Sequence, residues 1–190
     1  MSKNQLQTTS ASLVPQISVR AVLGDIAKIQ SDALVTAINS GGMWYGGIDG
    51  VIQRAADNLF HNQARAKMPL RDGQTIVAKG GPGNRGQFKD VVFVVDDLQQ
   101  PLRQIVFKAL TAAEGAGYTV VTVPAIRMGV MLGVVEKSIK EAVIEIAMGI
   151  KTFLETGPTS VKEVVFVVYG DSAVRDAIEE GTRRLLPAGN

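Results

Sequence analysis

The chain has 190 residues, of which 46% are hydrophobic and 20% charged, proportions of an ordinary folded protein with enough volume for a sizeable core. Its formal net charge of +2 and its lack of any basic run give no indication of a nucleic-acid partner, so an anionic ligand has to be held by local geometry. There is no cysteine, which excludes disulfides and thiolate chemistry, and no apolar run long enough for a signal segment or a membrane span; a cytoplasmic location without a membrane partner is the expectation.

Residues 1–15 are rich in Ser, Thr and Gln and read as a flexible tail, with one domain over residues 16–190. Ile17, Val19, Ala21 and Leu23 alternate with other residues, the period of a strand with one buried face, and Gly24-Asp25 interrupts it. Residues 33–38 form a short apolar run suited to a strand covered on both faces. Val51, Ile52, Ala55, Ala56 and Leu59 predict one helix over residues 48–66, with His61 at its surface or end.

Beyond Pro69 and Gly73, residues 75–78 and 91–95 read as strands flanking the glycine-rich loop 80–86. Asn84, Arg85 and Lys89 there suit either a phosphate contact or, better, a solvent-exposed connector. Leu102, Ile105, Val106, Ala109, Leu110 and Ala113 mark one helical face, stopped by Gly115 and Gly117. Residues 119–123 are β-branched and apolar, and the loop 124–133 leads into a helix with Ile139, Ala142, Val143, Ile146, Ile150 and Phe153 on its core face. Glu136 and Lys140 are expected one turn apart on its surface. Residues 163–169 make the last strand, and Asp171 or Ser172 caps a closing helix. Alternating strands and helices indicate an α/β fold with a largely parallel sheet.

In such sheets, ligands bind outside the carboxyl ends of the strands. Two glycine-bearing loops, residues 39–50 and 124–133, follow strands and precede helices there. Glycines at 41, 42, 46, 47 and 50 allow the backbone to approach a ligand closely. Its N–H groups, with the start of the next helix, can receive a diphosphate without lysine. Asn39 offers both a donor and an acceptor to a sugar hydroxyl. Asp49 is either a carboxylate facing a ribose or a water, or simply a helix cap.

Four blocks then resemble the macro-domain family in order and spacing. They are Gly24-Asp25-Ile26; Asp32-Ala33-Leu34-Val35 with Asn39-Ser40; Gly46-Gly47-Ile48-Asp49-Gly50-Val51-Ile52; and Pro124-Ala125-Ile126 with Gly129-Val130. The likeness spans about residues 16–184. It implies a three-layer α/β/α fold with a mixed, largely parallel sheet of about six strands, and ADP-ribose or an ADP-ribosylated substrate as partner.

The resemblance implies that Asp25 accepts from the adenine amino group and that Ile26 touches the ring. Gly46, Gly47 and Ile48 wrap the diphosphate. Ile126, Arg127, Met128, Gly129, Val130 and Met131 cover it from the other side. Tyr169 contacts adenine or its ribose, the alternative being a half-buried core tyrosine. Asp32 reads as a turn residue before its strand. Asn39 and Asp49, ten positions apart, resemble the hydrolytic MacroD-like branch. There the Asn orients the distal ribose and the Asp positions or activates the attacking water, with neither metal nor cofactor.

Four features depart from that branch. Gln53, one turn after Asp49, stands where a titratable histidine is common; it can hydrogen-bond but cannot titrate. Arg127-Met128 replaces small hydroxyl residues; Arg127 either pairs with phosphate or is an exposed loop arginine. Met131 occupies the place of an aromatic, and Trp44 suits ligand stacking or packing on the neighbouring helix. Three readings follow: a hydrolase that removes ADP-ribose from an ester or related O-linked conjugate, a module that binds ADP-ribose or a nucleotide metabolite without turnover, and a different nucleotide-processing α/β protein.

Overall fold

The computed structural model describes residues 16–43 and 47–186. The expected tail, Trp44 and Gly46 lie outside the described residues. The strands are β1 (Ser18–Leu23), β2 (Ser31–Ile38), β3 (Thr75–Ala78), β4 (Phe88–Val95), β5 (Val120–Pro124) and β6 (Glu163–Val168). The α-helices are α1 (Gly47–Ala56), α2 (Leu59–Arg65), α3 (Leu102–Gly115), α4 (Ile139–Leu154) and α5 (Ser172–Leu185), with a short 3-10 turn at Ile26–Lys28.

The six strands lie in the order β1-β6-β5-β2-β4-β3, and only β3, at the edge, runs antiparallel. Helices cover both faces, giving three layers. Alternation along the central strands separates two cores. Ala33, Val35, Val92 and Val94 face α3, α4 and α5, whereas Leu34, Ile38, Val91, Phe93 and Val95 face α1 and α2. β1 was expected to bury one whole face, but as an edge strand it buries only Ala21, and Leu23 is exposed. Among the described residues, no helix is long and apolar enough to cross a membrane.

The helix expected over residues 48–66 is broken. Asp57 adopts a positive φ of 51°, a conformation that Asp tolerates better than most residues, and the chain restarts as α2. Gln53 Nε2 donates to Asn58 Oδ1 (3.1 Å) across the break. Asp32 also differs from its expected turn role. It lies inside β2, and its Oδ2 accepts from the amides of Thr119 and Val120, which ties the start of β5 to β2.

α3 and α4 pack closely because position 149 has no side chain. A Cβ on Gly149 would sit 2.5 Å from the Arg103 carbonyl and 2.9 Å from Val106 Cβ. A bidentate Arg103–Glu145 pair joins the same two helices. Gly149→Ala is therefore expected to lower unfolding free energy by about 1–3 kcal/mol, read by urea denaturation. An unchanged midpoint would show that the helix pair can relax at no cost.

Candidate functional site

β2 and β5 are neighbours, but the chain leaving β2 enters α1 on one face whereas the chain leaving β5 enters α4 on the other. A crevice at the carboxyl ends follows from that split. It is a cleft of about 630 Å³, a volume ordinary for a small-molecule site. One wall is the first two turns of α1, through Gly47, Ile48, Val51 and Arg54. The opposite wall is the β5–α4 loop, through Pro124, Ala125, Met128 and Gly129. Gly24, Asp25 and Ile26 close one end with Val167, Val168 and Tyr169.

Asp25 Oδ1 accepts from the Ala27 amide (3.0 Å), capping the 3-10 turn, and Asp25 still lines the cleft. Cap and ligand-facing residue are thus compatible at this position. Tyr169 is not a half-buried core residue: it is 86% exposed, with its ring at the rim. Gly47, at φ 44°, opens α1, so the first helical turn, whose amides have no intrahelical partner, begins at the cleft wall.

Other expected site residues lie elsewhere. Ile126 is buried in the core beneath the loop, and neither Val130, almost fully exposed, nor Met131 lines the cleft. Arg127 is neither a surface arginine nor a cleft residue. Its guanidinium is buried and donates to both oxygens of Asp96 (2.9 and 2.7 Å), to Glu136 Oε1 (2.9 Å) and to the Gln100 carbonyl (2.8 Å). Burial works against its charge, but Asp96 and then Glu136 outweigh that effect and hold its pKa above the ordinary value. Glu136 accordingly leaves the surface position expected beside Lys140. It also accepts from the Leu102 amide at the start of α3. One buried cation thereby joins the loop after β5, the end of β4 and the start of α3.

Asn39, at the end of β2, is half-buried, and its Oδ1 lies 3.4 Å from the Met43 amide. Asp49 is 3% exposed, is not among the residues that line the cleft, and meets His61, whose Nε2 lies 2.8 Å from Oδ1. His61 was expected at the surface; it is fully buried. On one continuous helix it would stand about 18 Å along the axis from Asp49. The reversal at Asp57 is what brings the two together.

The sequence reading also missed Val51, Arg54, Asp171 and Val174 in the lining. A signal for the first two existed, since positions 47, 51 and 54 share one face of a helix. Arg54 is the cationic side chain of this lining.

A larger hollow, about 750 Å³, lies at the opposite, amino end of the sheet and includes Gly80, Asn84 and Lys89. The polar groups of that loop mostly hold the loop itself. Asn84 donates to the Phe88 carbonyl and accepts from Gly86, and Arg85 donates to the Arg54 carbonyl. Nearby Asp90 accepts from Tyr118, Lys79 and the Gly80 amide. Burial, then the bond to Asp90, pushes the Tyr118 phenol up to about 12.

Of the protein-family models compared with the chain, none matches. A macrodomain of Trypanosoma brucei, solved in complex with ADP-ribose, superposes with a TM-score of 0.71 at 21% identity, over 85% of this chain and 68% of that one. The chain has the macrodomain fold. Macro domain-containing protein RSc0334 of Ralstonia nicotianae is 37% identical over 67 residues, 35% of this chain and 39% of that protein. The ADP-ribose glycohydrolase MACROD1 of Mus musculus is 39% identical over 57 residues, 30% of this chain but 18% of that protein.

The β5–α4 loop depends on its buried arginine. Arg127→Met is expected to cost about 3–5 kcal/mol, because two buried carboxylates lose their cation. Arg127→Lys should recover little, since an ammonium cannot span Asp96 bidentately. Denaturant unfolding measures both, and a loss below about 1 kcal/mol for the Met variant would contradict this role.

Proposed function

We propose that the carboxyl-end cleft binds ADP-ribose and that residues 16–190 act as a single macro domain. The observation that carries this is the convergence of α1's first turn and the Met128–Gly129 loop on one cleft, with Asp25 and Tyr169 at its end. Adenine would lie by Asp25 and Ile26, with the Tyr169 ring beside it or its ribose. The diphosphate would lie over the amides of Gly47 and Ile48, where unpaired N–H groups and the helix dipole favour negative charge. Met128 and Gly129 would cover it, with Arg54 supplying a cation at the wall. The likeness to a macrodomain solved with ADP-ribose supports this orientation.

At the distal ribose we propose hydrolysis of an ADP-ribosyl ester, with Asn39 orienting the sugar and Asp49 receiving a proton. Water oxygen bonds to the anomeric carbon as the bond to the ester oxygen breaks, and the bonding pair leaves with the carboxylate. The water proton passes to Asp49 and then to that carboxylate, yielding ADP-ribose and the free acid. The partial likeness to an ADP-ribose glycohydrolase supports this step. The burial of Asp49 outside the cleft lining favours the second reading, binding without turnover.

Calorimetric titration tests the cleft. Wild-type protein is expected to bind ADP-ribose, and Gly47→Glu to weaken it about 100-fold or more, because a carboxylate would meet the diphosphate. A Cβ at Gly47 meets no neighbour among the described residues, so the variant should fold with a left-handed backbone penalty of about 1–2 kcal/mol. Unchanged affinity would remove α1's first turn from the site. Release of free ADP-ribose from an ester-linked conjugate, lost in Asn39→Ala and Asp49→Asn, separates hydrolase from binding module.

A further inference from the structure

Asp49 and His61 form a buried pair to which the binding reading assigns no task. The Phe93 ring packs on the imidazole, centroids 5.2 Å apart. His61 Nδ1 is buried and has no hydrogen-bond partner among the described residues. A neutral imidazole has one N–H and one lone pair, and an ionised carboxylate only accepts. The 2.8 Å contact therefore assigns the proton to Nε2 and the lone pair to Nδ1.

As a means of holding the fold together, this pair is poor. Nδ1 gives up hydration with no compensating bond, and well-packed apolar side chains would fill the same space without that loss. A buried polar atom left in this state calls for an explanation beyond packing. Its location supplies one. Asp49 follows Gly47 and Ile48 directly, and both of these line the cleft. Gln53 is tied to Asn58, whereas His61 of α2 reaches the carboxylate.

We propose that His61 is a positioning residue for Asp49. By donating Nε2–H to Oδ1 it holds the carboxylate's rotamer at the distal-ribose end, in the orientation that receives the proton of the attacking water. His61 touches no substrate and exchanges no proton; the proton moves from water to Asp49 to the departing carboxylate. The inference rests on the hydrolytic part of the proposed function.

The test uses the full chain with an ester-linked ADP-ribosylated peptide, together with calorimetry and ¹⁵N imidazole spectra, which are simple because the chain has one histidine. His61→Leu is expected to lower kcat about 30-fold or more, with KM and ADP-ribose affinity within about threefold. His61→Gln, whose amide N–H reaches the place of Nε2, should recover activity to within about fivefold of wild type. The wild-type spectrum should show the Nε2–H tautomer, with the Nε2 signal shifting in Asp49→Asn. Retained kcat in the Leu variant, a Gln variant as inactive as the Leu one, or the Nδ1–H tautomer would overturn the proposal. Should wild-type protein bind ADP-ribose but release none from the peptide, hydrolysis and this inference fall together while the cleft assignment stands. Absence of binding would instead remove the cleft assignment itself.

Discussion

Two adjacent parallel strands, β2 and β5, send their chains to opposite faces of the sheet, and the crevice between those departures positions the site. Backbone donors can face a ligand there because the first turn of a helix has N–H groups with no intrahelical partner. α1 presents such a turn at Gly47. The opposite wall is a loop without regular structure, so its position needs a separate cause. Arg127 provides it, by binding Asp96 and Glu136 beneath the backbone that sets Met128 and Gly129 in the cleft wall. Arg127 itself adopts a φ of 61°, a conformation uncommon for a residue other than glycine.

The strands and most of the helices were legible because their signal is local. Continuous apolar runs over short windows locate β2 and the greater part of β4, and period-3.6 spacing locates α3 and α4. The blocks that carry the family resemblance are likewise consecutive in the chain: Gly24, Asp25 and Ile26 sit together in the lining, as do Gly47 and Ile48. What failed was any property set by a partner distant in sequence. Arg127 reads as a loop arginine until Asp96, thirty-one positions earlier, is brought beside it. Glu136 fits a helix-surface pair with Lys140 until that same guanidinium draws it inward.

His61 is the sharper case. Apolar spacing continues across residues 48–66 and hides the break, because Ala56 and Phe60 both face the core on either side of it. Nothing in that spacing marks Asp57 as a reversal. Once the chain turns, an isolated histidine on a polar stretch becomes the buried partner of Asp49. Gln53, one turn after Asp49, bonds to Asn58, and the imidazole beside the carboxylate comes from α2 instead.

The cleft and the amino-end hollow are of similar size, so volume does not choose between them. Position relative to the strand ends does, and that choice is the central claim. A crystal structure of the protein grown with ADP-ribose tests it most directly. The account predicts the diphosphate against the Gly47 and Ile48 amides, with adenine beside Asp25 and Tyr169. Nucleotide seated instead among Asn84, Lys89 and Glu163 would contradict it.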